Sequence, residues 1–144
     1  DAHDRYANVE IGYLLQKMEE HEGITILATN LGQNIDDAFL RRMHFIVEFP
    51  FPEEEYRLRI WRGLAPKQAP ISKDVDFQFL AKKFKIAGGN IKNVMINAAF
   101  LAAEDSRKIS MEHVIWATRD EFLKMGKLCI QSDFGKYYDL ICDM

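Results

Sequence analysis

Ile24-Thr-Ile-Leu-Ala-Thr-Asn30, Asp36-Asp-Ala-Phe-Leu-Arg-Arg42 and Phe49-Pro-Phe-Pro52 decide how this chain is read. The first stretch is an apolar, β-branched run that ends on a polar amide, as expected of a central strand covered on both faces. The second opens on two acids, which the positive end of a helix dipole favours, and closes on adjacent arginines. Residues 45–49 predict another strand, which Pro50 and Pro52 stop because proline cannot continue a central ladder.

Chemistry attaches to the ends of these elements. An amide at the carboxyl end of a parallel strand sits in the crevice where α/β folds bind ligands. There Asn30 can bond a phosphate oxygen or orient a water; equally, an Asn can simply begin a turn. Arg41 and Arg42 carry a planar, permanently charged fork that suits phosphate oxygens, although two arginines in a last helical turn also complement its dipole. The order suggests a nucleotide hydrolase whose strand tips and arginines surround a γ-phosphate. No Gly-x-x-x-x-Gly-Lys-Ser/Thr loop to cradle the phosphates occurs in the 144 residues.

Upstream, residues 5–20 read as a helix, with Tyr6, Val9, Tyr13 and Leu14 near helical spacing and Gly23 available to cap its end. Leu31-Gly-Gln-Asn34 reads as a loop. Downstream the texture becomes helical. Helices are expected at 53–64, with three glutamates in its first turn, then at 75–85, 90–105 and 111–125, with Ser110 as N-cap of the last. Pro66 to Pro70 reads as a linker. Gly88-Gly89 break the chain before a helix whose first-turn amides can face an anion, and Lys92 stands in that turn, where a cation is unfavourable unless it meets a negative group. A tight helix–helix turn with Lys92 in solvent accounts for the same residues. The aromatic tail from Gly126 is expected to form a short helix on a partner surface.

Composition narrows the classes. The chain is 48% hydrophobic and 28% charged with a net charge of −3, ordinary for a globular domain and without the basic excess of a nucleic-acid binder. No apolar run reaches the roughly 20 residues of a membrane span. Cys129 and Cys142 do not make a disulfide framework, so a reduced, cytoplasmic setting is the expectation. Four scattered histidines have no metal-ligand spacing. With its abrupt polar start, the chain is expected to be a piece of a larger protein.

Taken together, these signals resemble the second half of an AAA+ ATPase module, over about residues 1–125. Asn30 resembles the sensor-1 residue. Aligned without gaps through Ala38 and Pro50-Phe-Pro52, Arg41 and Arg42 fall on paired arginine fingers. Gly88-Gly-Asn-Ile-Lys92 resembles the sensor-2 segment. Asp1-Ala-His-Asp-Arg-Tyr-Ala-Asn8 is most similar to bacterial valosin-like AAA ATPases. Departures are the missing Walker A and Walker B motifs and Met43-His44-Phe45 after the arginines.

The resemblance implies the last strands of a parallel P-loop NTPase core over 1–66, then a helical lid and tail over 67–144. It implies hydrolysis of ATP with Mg²⁺, with Asn30, Arg41 and Arg42 catalytic and Gly88, Gly89 and Lys92 binding nucleotide. Further implications are self-association into a ring, a hexamer, a macromolecular client, and no activity from this chain alone. The rival is a non-catalytic AAA+-derived interaction module. A DNA-engaging AAA+ subunit is disfavoured by the mildly acidic balance.

Overall fold

The computed structural model describes residues 12–30, 37–65, 69–105 and 107–142. The start of the first expected helix, the loop at 31–34, Asp36 and the first part of the 66–70 linker lie outside the described residues. Two compact units, 1–48 and 49–144, divide the chain.

In the first unit, helix α1 covers residues 12–20 and helix α2 Asp37–Leu40. Residues 24–29 and 45–49, expected as strands, are neither helical nor paired in a ladder. Ile24, Ile26, Phe45 and Val47 are exposed, Ile24 at 90%. The physical reason is that a parallel strand is defined by hydrogen-bonded neighbours and by helices on its faces, and the described residues supply no such neighbour. Among them the one β contact is an isolated parallel bridge between Ile71 and Ile109.

The second unit is helical: α3 (Glu54–Gly63), α4 (Phe77–Lys83), α5 (Gly88–Glu104), α6 (Met111–Lys124), α7 (Gln131–Phe134), a 3₁₀ turn (Gly135–Tyr137) and α8 (Asp139–Cys142). Local chemistry sets the starts. Asp76 accepts the Phe79 N–H at 2.9 Å. Ser110 caps α6 reciprocally: its Oγ takes the His113 N–H, and His113 Nδ1 accepts the Ser110 N–H at 3.0 Å. The other nitrogen of the buried His113 ring, Nε2, lies 3.1 Å from the Asp105 carboxylate. Helix α5 starts two residues before the expected 90, because both glycines lie inside its first turn rather than breaking the chain ahead of it. Helix α6 ends in a Schellman turn. Gly126 takes φ 70°, and the Lys127 N–H reaches the Phe122 carbonyl at 2.8 Å.

The core gathers Trp61 from α3, Leu80 and Phe84 from α4 and the segment after it, Ile91, Val94, Met95 and Ala98 from α5, and Val114, Ile115 and Phe122 from α6. Arg57 is its buried cation. Its Nε donates to the Ala81 carbonyl at 2.9 Å and its Nη1 to the Pro52 carbonyl at 2.6 Å. It thereby satisfies a carbonyl in the last turn of α4 and anchors the chain entering α3.

The tail does not wait for a partner. Phe134 is fully buried and packs against Phe84 and Phe122 at ring centroid distances of 5.1 and 5.6 Å. Trp116 donates its indole N–H to the Leu140 carbonyl at 2.9 Å, and Lys83 donates to Ser132 at 3.1 Å. Gly135 turns the chain at φ 53°, close under Phe79. The expectation of a partner surface is corrected on this point: the aromatic surface that would dock elsewhere is spent on its own helices. Phe134→Ala is expected to destabilise this unit by about 3–5 kcal/mol, the usual cost of emptying an aromatic site, read as a shift of the urea unfolding midpoint followed by helical circular dichroism.

Candidate functional site

Each unit carries part of the expected site. In the first, Asn30 lies at an exposed bend directly after the apolar run. Arg41 and Arg42 follow α2, in a turn held by bonds from the Arg41 N–H to the Asp37 carbonyl at 3.1 Å and from the Arg42 N–H to the Phe39 carbonyl at 2.9 Å. The two guanidinium groups differ. Arg42 is ion-paired with Glu19 of α1 and donates from Nη1 to the Ala38 carbonyl at 3.0 Å. The Arg41 guanidinium is exposed and has no hydrogen-bond or ion-pair partner among the described residues. One arginine therefore braces its own unit, while the other presents a free fork.

In the second unit, Gly88, Gly89 and Lys92 come together. With Ile60, Gly63 and Leu64 of α3 they line an open, largely apolar hollow of about 480 Å³. Its floor is the start of α5. The N-cap there is Ala87, which has no side-chain acceptor to offer the first-turn amides. A 17-residue helix thus begins with first-turn N–H groups that no N-cap side chain accepts from, and with a positive dipole end. Lys92 adds an exposed ammonium without a partner among the described residues. Neither glycine is needed for backbone reasons, since both are helical and positive φ is confined to Gly126 and Gly135 among the described glycines. Packing does not demand them either. A Cβ on Gly89 would meet nothing within 4 Å, and one on Gly88 would touch Ile60 at an ordinary 3.7 Å. Glycine costs helix stability, so two of them bordering a hollow fit a surface approached closely by something other than this unit.

No family model matches the chain. Curated relatives do. A proteasome-activating nucleotidase of Saccharolobus solfataricus is 29% identical over 126 residues, 80% of this chain and 32% of that protein. The ATP-dependent zinc metalloprotease FtsH of Syntrophotalea carbinolica is 31% identical over 111 residues, 72% of this chain and 17% of its own length. A putative 26S proteasome regulatory subunit homolog of Methanocaldococcus jannaschii is 32% identical over 109 residues, covering 73% and 29%. Over most of its length the chain is homologous to AAA+ ATPases. It spans about a third or less of these relatives.

Within this AAA+ homologue the sequence reading overlooked one group beside the hollow. Glu121 of α6 is 1% exposed. Its Oε1 accepts the side-chain amides of Asn90 at 2.8 Å and Asn93 at 3.2 Å, and its other oxygen is ion-paired with Lys124. Burial pushes the Glu121 carboxyl up, but Lys124, Asn90 and Asn93 together outweigh it and hold the group below the ordinary 4.5. Its signal was an acid standing on the apolar stripe of α6, seven residues after Val114 and four after Ala117, both fully buried. Among the described residues no group of three His, Cys, Asp or Glu side chains is placed to hold a metal ion. Nor is any helix long and apolar enough to cross a membrane.

Two expectations can be measured. Gly89→Ala should fold and gain about 0.5–1 kcal/mol in urea unfolding, because alanine removes the glycine entropy cost in open space. Stability should also carry a Glu121 signature. With its folded pKa below the unfolded value, the ionised group stabilises fully above about pH 4.5 and loses that contribution as pH falls through the lower, folded value. Glu121→Gln should therefore be less stable than the parent near neutral pH, and the gap between their unfolding midpoints should close on acidification.

Proposed function

We propose that this chain is the C-terminal part of an AAA+ ATP-hydrolysing module. Residues 24–29 and 45–49 would complete a parallel P-loop sheet, and the helical residues of the second unit would form the lid. The observation that supports it best is the glycine-floored hollow at the start of α5. Beside it stand first-turn amides that no side chain caps, a positive helix end and Lys92, which suit an anionic ligand. Homology to AAA+ ATPases makes a nucleotide the ligand of choice. Asn30 then positions the attacking water or the γ-phosphate. Arg41, free among the described residues, is the finger that reaches a neighbouring subunit's nucleotide and stabilises charge in the transition state. Arg42, tied to Glu19, holds the turn that presents it. Mg²⁺ would supply charge neutralisation on the phosphates through ligands outside the described residues.

Coupling follows from the same parts. A nucleotide seated against Gly88 and Gly89 would tilt the helical unit, and in a ring, on this reading a hexamer, that rigid-body motion would do work on a macromolecular client. We assign the assembly to the cytoplasm. The chain alone lacks a phosphate-cradling loop and is not expected to turn ATP over.

The test has two arms. ADP added to the ¹⁵N-labelled 144-residue chain should shift the amide resonances of Gly88, Gly89 and Lys92, and Lys92→Ala should weaken the effect without unfolding the chain. Measurable ATP turnover by this chain, contaminants excluded, would overturn the reading. In the full-length polypeptide, Arg41→Ala with Arg42→Ala should lower kcat by roughly 10³-fold or more with nucleotide affinity nearly unchanged. Equal loss of affinity would remove the finger role.

A further inference from the structure

Glu121 is the most buried acid among the described residues, and nothing in the proposed hydrolysis uses it. It stands on α6, but both of its amide donors belong to the first two turns of α5. Those donors, Asn90 and Asn93, flank Lys92 in sequence, and Asn90 follows the glycine pair directly. One carboxylate oxygen thus grips the segment that floors the hollow from two adjacent turns. The second oxygen is balanced by Lys124, one turn further along α6. The α5 N-terminus has no side-chain cap to fix it. Hydrogen bonds to a charged acceptor are about twice as strong as neutral ones, and here one end of the grip is almost completely withdrawn from water.

We infer that Glu121 is a positioning residue for the nucleotide hollow: its carboxylate sets the direction of the first turns of α5 and so the placement of the Gly88 and Gly89 amides and of Lys92. It touches no ligand itself. The role rests on the reading of the hollow as a nucleotide site, but the grip on α5 does not. Losing the charge would leave α5 formed by its apolar face, with Ile91, Val94, Met95 and Ala98 buried, while its first turns lose their fixed direction. An Asn90→Asp change would bring two carboxylates together and act in the same sense.

The experiment uses the whole 144-residue chain, comparing the parent with Glu121→Gln, which keeps the volume, and Asn90→Asp. Native-state hydrogen exchange is read at the Lys92 and Asn93 amides, in the gripped turns, and at amides in the middle of α3 and the last half of α5. The expected result is exchange faster by roughly tenfold at the gripped turns with the distant amides changed by no more than their common stability shift. Equal acceleration everywhere, or none at Lys92 and Asn93, would overturn the proposal. ADP is then titrated, following the Gly89 amide. Weaker ADP binding in both variants supports the positioning role, and unchanged affinity alongside faster exchange overturns it. If the parent itself gives no ADP response, the nucleotide reading of the hollow fails and the positioning role for it falls too, while the exchange data still decide whether Glu121 orders α5.

Discussion

Phe84 holds the helical unit together. Its ring is fully buried and meets Phe122 of α6 at 5.7 Å, Phe134 of α7 at 5.1 Å and Phe79 of α4 at 6.1 Å. Large rings bury more apolar area than any other side chains, and tilted or edge-to-face contacts add to that burial. Because these rings come from the α4 end, from α6 and from the tail, one packing event fixes three segments far apart in sequence. With the tail consumed in this way, the unit closes on itself, and the start of α5 is left facing an open hollow.

Two buried charges interrupt that apolar interior, and they do different work. Arg57 is satisfied by two backbone carbonyls, Ala81 and Pro52, and so locks the end of α4 to the entry of α3. Glu121 accepts through Oε1 from two side chains of the helix that lines the hollow, and its other oxygen is ion-paired with Lys124 of its own helix. A buried ion pair is weak evidence for stability, since desolvation offsets much of the attraction, and its better-attested use is to fix one arrangement among several. The placement of Glu121 beside the glycine pair agrees with that use.

The arginine pair shows how packing divides two residues of identical chemistry. Arg42 spends its guanidinium on Glu19 and on a carbonyl of α2, so it stabilises the turn. Arg41, one residue earlier, points its charge at no group of the described residues. An exposed pair with Glu19 is worth little in energy, yet it is enough to distinguish a bracing role from a free one. The homology to AAA+ ATPases gives that free cation a context that geometry alone does not.

By itself the sequence determined what depends on neighbours a few residues away. The helices near 54–63, 77–83, 88–104 and 111–124 follow from apolar periodicity and from caps such as Ser110, whose partner His113 is three residues on. The glycine pair and Lys92 were legible as the start of a helix because turn and dipole preferences are local properties. Tertiary structure alone decided the rest. It docked Phe134 on its own unit, for an aromatic tail looks the same in sequence whichever surface buries it. It paired Arg42, and not Arg41, with an acid 23 residues away, and it joined Asn90 and Asn93 to Glu121 across 31 and 28 residues. Residues 24–29 show where local pattern stops deciding structure. Their pattern is that of a strand, but a strand exists only through its hydrogen-bonded neighbours, and a neighbour is not written in the run itself.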